Sequence, residues 1–130
     1  MKRKGRIDWQ RAPDIKKRIA HLIKEVELEY PSSRIFTYRS TNANTRAYAR
    51  IWGLSYLWQK VLSVKPAYIV EVISEKYDRL HEAQKDEVLL HELAHIPKNF
   101  SGALVPHTHG KGRFHDKLKK WKSLFYTEKI

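Results

Sequence analysis

The residues with the clearest chemical potential are two histidines and a glutamate within five positions. His91, Glu92 and His95 form the pattern H-E-x-x-H in the segment HELAH. An α-helix turns about 100° per residue, so positions four apart share one side and can place two imidazole nitrogens about 2 Å from one metal ion. Glu92 is then free to take a proton from a water molecule at the metal. The pattern predicts one zinc ion per chain and hydrolysis of a carbonyl compound such as a peptide.

A catalytic zinc site needs a third protein ligand and one position open to water or substrate. The sequence has no cysteine, so the ligand must be His, Asp or Glu. Five of the seven histidines lie between residues 91 and 115. His109 is the first choice as third ligand, followed by His107 and then His115. The last two are otherwise expected to support the metal site from outside its ligand shell.

The carbonyl oxygen of a substrate needs a second electrophile besides the metal. Tyr77, Arg113 and His115 are candidates, and the sequence pattern does not choose among them.

The charge balance favours a polyanionic partner. The chain has 26 Lys and Arg residues against 14 Asp and Glu residues, which gives a net charge of +12. Such a field attracts nucleic acid and concentrates it at the protein surface. The last predicted helix is basic and amphipathic, and it carries most of the candidate contacts. The residues expected to meet phosphate are Lys111, Lys117, Lys119 and Lys120.

Length and hydropathy predict one domain without a membrane segment. A chain of 130 residues is long enough for one compact core, so we expect a single domain over 1–130, with 1–6 as a flexible basic tail. No apolar run approaches the roughly 18 residues of a membrane helix, and no signal-peptide core follows the basic start. We therefore expect a cytoplasmic, intracellular protein, associated with DNA if its charge serves that purpose.

Hydrophobic periodicity predicts an α+β fold with an N-terminal helix and a small three-stranded sheet. A helix on which HELAH lies and a basic amphipathic helix should follow the sheet. The expected bounds are a helix from about 13 to 30, strands over 34–39, 47–62 and 67–73, a helix over 82–96, and a last helix that includes Phe114 and Phe125. The first two strands should pair as a hairpin.

Several segments between Arg46 and Phe125 resemble a known family. TRAYARIWGL, AYIVEVI, YDRL, LLHELAHIP and PHTHGKGRFHDKL are similar to phage-type and archaeal metallopeptidases related to the SprT-like and Wss1-like zincins. The resemblance implies a compact zincin-like fold, zinc, and a protein or peptide substrate, which in that wider group is associated with DNA. It also implies a third ligand before a small residue and an aromatic one, which His109, Gly110 and Phe114 match.

The alternative class is a basic nucleic-acid-binding protein with a structural or degenerate zinc site. Its stacking platforms would be Trp52, Trp58, Tyr48 and Tyr56. A second alternative keeps the hydrolytic zinc and cleaves something other than protein. Glu92 separates a hydrolase from a binding protein, because only hydrolysis needs a general base.

Overall fold

The computed structural model of the chain describes residues 5–107 and 113–128, with side chains of the last helix described from 114 to 125. Of the predicted basic tail, residues 1–4 lie outside this range. The architecture is α+β, as predicted. In chain order the elements are β1 (Asp8–Arg11), α1 (Pro13–Glu25), a 3-10 turn (Ser32–Arg34), β2 (Ile35–Thr41), β3 (Ala49–Gly53), α2 (Tyr56–Leu62), β4 (Tyr68–Ile73), α3 (Ser74–Tyr77), α4 (Glu82–Leu93) and α5 (Arg113–Glu128).

Within the described residues the sheet has four strands rather than the predicted three, in the order β1-β2-β4-β3. The predicted hairpin of the first two strands was wrong, since β2 and β3 both pair with β4, in parallel and antiparallel fashion respectively. β4 takes the centre because nearly all its residues are apolar and buried on both faces. The added strand, β1, is exposed along its length and pairs antiparallel with the edge of β2.

The predicted strand over 47–62 was also wrong in its second half, which forms the helix α2. The Ser55 side chain accepts a hydrogen bond from the Trp58 N–H at 3.3 Å and caps the helix start. Ser63 adopts a left-handed conformation with φ of 53° and ends the helix. Aromatic and branched residues in this segment suggested a strand, but the capping serine decides the local structure.

The main core lies between one face of the sheet and the helices α1, α4 and α5. It buries apolar residues of each helix against Ile35, Val70 and Val72. Helix α4 is fixed to α1 by Arg18, whose guanidinium donates to the Asp86 carboxylate at 2.9 Å and also to Glu82. No helix in the described parts of the chain is both long and apolar enough to cross a membrane.

A buried carboxylate on the other face of the sheet makes stability depend on pH. Burial raises the pKa of Glu71, but hydrogen bonds from Arg50 at 2.8 and 3.1 Å and from Trp52 at 2.9 Å, together with the charge of Arg50, outweigh it, so the net pKa is lowered. A carboxyl group with a folded-state pKa below its unfolded value stabilises the fold above the unfolded pKa. That contribution disappears as the pH falls through the folded pKa.

We therefore expect the stability advantage of the wild type over Glu71→Gln to be largest near pH 7 and to shrink below about pH 4. Urea unfolding of both proteins at a series of pH values measures this difference. A difference that stays constant across the series would show that ionisation of Glu71 does not contribute.

Candidate metal centre

The chain after α4 folds back beside His95. The Val105 N–H donates to the His95 carbonyl at 2.7 Å, and the His95 imidazole Nδ1 donates to the Val105 carbonyl at 2.6 Å. This pair of contacts holds the returning segment against the end of the helix. His107 follows two positions later and therefore comes within reach of the imidazoles of the HELAH segment.

Contacts to the sheet and to α2 direct this return. The Tyr68 hydroxyl donates to the Ala103 carbonyl and accepts from the Gly102 N–H, both at 2.8 Å. The Gln59 amide donates to the Ser101 carbonyl at 2.9 Å. Gly102 has φ of +97°, and a Cβ atom there would lie 2.2 Å from the Leu54 carbonyl oxygen. Only glycine fits, both in its backbone conformation and in the space available.

Gly102→Ala should lower the free energy of unfolding by about 2 kcal/mol or more, because it adds a steric clash to left-handed strain. Gly5→Ala is a matched control, since Gly5 also has positive φ but nothing lies within 4 Å of its added Cβ. Chemical unfolding of both variants measures the difference. Equal stability of the two would contradict the close contact at Gly102.

The fold brings three imidazoles together. His107 Nε2 lies 2.9 Å from His91 Nε2 and 2.9 Å from His95 Nε2. The candidate ligand atoms of these three residues all lie within 4.8 Å of one another. A tetrahedral site with metal-to-nitrogen distances of about 2.0 Å places its ligand atoms roughly 3.3 Å apart. The spacing therefore fits one metal ion bound by the three residues.

The protonation of the histidines also fits metal binding. Because a carbonyl oxygen only accepts, the contact with Val105 places a proton on His95 Nδ1 and leaves Nε2 as a lone-pair donor. Burial, with smaller effects from His107, His95 and Lys122, lowers the pKa of His91 to about 4. Burial likewise lowers the pKa of His95. Both imidazoles are neutral at pH 7, which a metal ligand must be.

Phe114 of α5 packs against all three imidazoles. Its ring centroid lies 5.1 Å from that of His91, 4.5 Å from that of His95 and 4.6 Å from that of His107. The aromatic ring is itself buried. It therefore restricts the rotamers of the imidazoles and excludes water from one side of the cluster.

Glu92 and the three clustered histidines line one open cavity, which has a volume of about 580 Å³. Only 8% of the surface of Glu92 is exposed. Burial raises the pKa of its carboxyl to about 7. A carboxyl group with a pKa near the working pH can both take and return a proton. The arrangement can therefore hold a metal ion and move a proton in one cavity.

Four polar residues that the sequence did not assign to the metal site also line the cavity, namely Tyr48, Gln84, Glu87 and Lys122. Tyr48 immediately precedes the edge strand β3, and Lys122 reaches the cavity from α5. The positions of both depend on how distant elements pack around α4. Neither residue carries a local sequence signal for this position.

The structure places the other predicted site residues elsewhere or does not describe them. Tyr77 is completely buried, and its hydroxyl donates to the Lys85 carbonyl at 3.3 Å. Tyr77 is not among the residues that line the cavity. His115 is exposed on α5 and is not one of the three clustered histidines. The predicted residues that lie outside the described positions are His109 and Lys111, together with the side chain of Arg113.

The predicted phosphate contacts on α5 differ from one another. Lys117 donates to the Ile96 carbonyl at 2.6 Å, and burial lowers its pKa. Its ammonium group therefore stabilises the end of the HELAH segment. Lys119 and Lys120 are exposed on the same helix.

Comparison with known proteins identifies the family. Residues 7–127 match the family described as "Putative phage metallopeptidase". Comparisons with curated proteins and with solved structures found no significant match. The family match implies a metal ion, and His91, His95 and His107 are residues that could bind it. Because the match includes nearly the whole sequence, this chain belongs to the phage metallopeptidase family.

Proposed function

We propose that this protein is a zinc-dependent peptidase of the H-E-x-x-H type, in which His91, His95 and His107 bind one zinc ion and Glu92 is the general base. The observation that carries the proposal is the convergence of three imidazole Nε2 atoms beside a buried carboxyl group in one open cavity. Three nitrogen ligands leave one position of a tetrahedral zinc ion open, as catalytic sites require.

Glu92 moves the proton in this proposal. Zinc bound at the three histidines would polarise the substrate carbonyl and lower the pKa of water. Glu92 takes the proton from the attacking water as the carbon–oxygen bond forms, and then delivers it to the leaving nitrogen as the amide bond breaks. Tyr48, Gln84 and Lys122 line the cavity with side chains that can donate a hydrogen bond to the carbonyl oxygen.

The edge of the sheet suggests how a polypeptide binds. β3 is an edge strand, and residues from Ala47 to Ala49 line the cavity beside the histidines. The free backbone groups of an edge strand can pair with an extended peptide. Such pairing needs an unfolded or locally extended substrate and places its main chain beside Glu92. We therefore expect unstructured polypeptides to be the best substrates.

The resemblance of the sequence also suggests that this family is related to the SprT-like and Wss1-like zincins, and that the substrates are DNA-associated proteins. The net charge of +12 supports this extension, since a basic surface brings the enzyme to nucleic acid and to the proteins on it. Lys119 and Lys120 are exposed and suit that contact. Cleavage of a DNA-bound protein with and without its DNA tests this part separately.

Elemental analysis tests the zinc site. We expect one tightly bound zinc ion per wild-type chain after removal of weakly bound metal, and its loss in His91→Ala. Stoichiometric zinc justifies a screen for cleavage of unfolded protein. A wild type that binds no zinc, even after zinc is added back, contradicts the peptidase proposal and favours the basic nucleic-acid-binding protein.

A further inference from the structure

The sheet has a second face, which the helices of the main core do not cover. We call it the aromatic face and define it by Trp9, Phe36, Tyr38, Trp52 and Ile69. The cross-strand register aligns Phe36, Ile69 and Trp52 in one row across three strands. Tyr38 lies two positions further along β2, opposite Arg11 of β1. Trp9, Phe36 and Trp52 are 53%, 44% and 47% exposed, although large aromatic residues are usually buried.

The aromatic face contains a concave site with a rigid platform. A cavity of about 320 Å³ is lined by Trp9, Tyr38, Trp52, Ile69 and Glu71. The Trp52 indole N–H donates to the Glu71 carboxylate at 2.9 Å, which fixes the orientation of the ring. Because the ring is already held in place, little side-chain entropy is lost when a ligand binds to it. Stacking of a planar ligand therefore suits this site.

The charges of the aromatic face select the ligand. Glu71 is the one carboxylate that lines the site, and it is already paired with Arg50. The Arg50 guanidinium lies 5.1 Å from the Trp52 ring, and the Arg34 guanidinium lies 5.7 Å from the Phe36 ring. Arg11 is exposed beside Tyr38. The Glu71–Arg50 pair is neutral overall, so Arg34 and Arg11 leave a net positive charge at the rim. This charge favours an anionic ligand and disfavours the pairing of two copies of this face.

We propose that the aromatic face binds single-stranded nucleic acid, with bases stacked on Trp52 and Phe36 and phosphates held by arginines at the rim. A four-stranded sheet with exposed aromatic residues on one face and helices on the other is suited to stacking unpaired bases. A base in a duplex is already stacked and hydrogen-bonded, and it cannot lie on these rings. The face is separate from the metal cavity, so nucleic acid can bind without blocking Glu92.

Fluorescence anisotropy with labelled oligothymidylate and oligouridylate of about 15 nucleotides tests this proposal. The parent protein for these measurements carries Glu92→Gln and is measured with and without a chelator. The result then does not depend on whether the proposed zinc site binds metal or cleaves peptide. We expect this parent protein, whose aromatic face is unchanged, to bind at least one of the two probes. Binding should be weaker at about 200 mM than at about 50 mM salt. The two probes distinguish a deoxyribose from a ribose backbone.

Trp52→Ala and Phe36→Ala should each raise the Kd about 5- to 150-fold, which corresponds to the loss of one stacked base. Trp52→Phe should bind within a few-fold of the parent, because it keeps a ring for stacking. Trp58→Ala is the matched control, since Trp58 is also exposed but lies on α2. It should bind as the parent protein does. Circular dichroism establishes that each variant is folded.

Four results would overturn the proposal. The first is no binding of either single-stranded probe by the folded parent protein. The second is an equal loss of binding in Trp58→Ala and Trp52→Ala. The third is displacement of the labelled probe by a duplex of the same length as effectively as by the unlabelled single strand. A parent protein that is a dimer and becomes a monomer in Phe36→Ala would also overturn it, because the face would then be an interface between copies.

Discussion

Replacing Glu92 by glutamine should lower kcat/KM for an unstructured polypeptide by about 100- to 10,000-fold, the range expected for loss of a general base. The amide has nearly the same shape as the carboxylate but cannot accept the proton of the attacking water. Zinc content should stay at that of the wild type, because the three histidines are unchanged. A fluorogenic peptide assay and elemental analysis of the same samples measure both quantities.

Glu82→Gln provides the matched control for this change. Glu82 begins the same helix, and its side chain is 75% exposed, away from the imidazole cluster. We expect this variant to hydrolyse peptide at nearly the wild-type rate, because Arg18 keeps its hydrogen bond to Asp86 and still holds α4 against α1. Full activity in Glu92→Gln would contradict its assignment as the general base.

Replacing His107 by alanine should weaken zinc binding by more than about 100-fold. Loss of a supporting partner already costs 10- to 100-fold in metal affinity, and loss of a ligand should cost more. His109→Ala should keep one zinc ion per chain, because the proposed site takes its three ligands from His91, His95 and His107. Competition with a chromophoric chelator measures the affinity of each variant.

Two further variants give the limits for this comparison. His91→Ala should lose zinc, whereas His21→Ala should not, since His21 lies on α1 with an exposed side chain. Zinc at about 100 times its Kd should also raise the free energy of unfolding of the wild type by about 2.7 kcal/mol. Loss of zinc in His109→Ala and its retention in His107→Ala would assign His109 as the third ligand instead.

The elements that could be predicted from the sequence are those with strong local signals. Pro13 and a 3.6-residue apolar stripe predicted α1, and a run of apolar residues predicted β4. β1 could not be found in this way, because its four residues are exposed and form a strand only by pairing with β2. The parallel pairing of β2 with β4 is likewise a tertiary property. For α2 a local helix signal was present in the capping residue Ser55, but the aromatic residues after it led to the prediction of a strand.

The candidate site divides in the same way. Helical spacing alone predicts that His91 and His95 project together, and the structure places them in one cavity with Glu92. The third histidine depends on the path of the chain after α4. That path is set by contacts of Gly102 with Tyr68 and Leu54, which are distant in sequence. Spacing alone therefore does not predict that His107 joins His91 and His95.

The most direct test is to add zinc stepwise to chelator-treated protein and follow cleavage of an unstructured polypeptide. We expect no cleavage at the start, and a rate that rises linearly and stops rising at one equivalent of zinc per chain. Glu92→Gln should bind the same equivalent and stay inactive. Binding of one zinc ion without cleavage of any polypeptide by the wild type would contradict the assignment of this site as a peptidase.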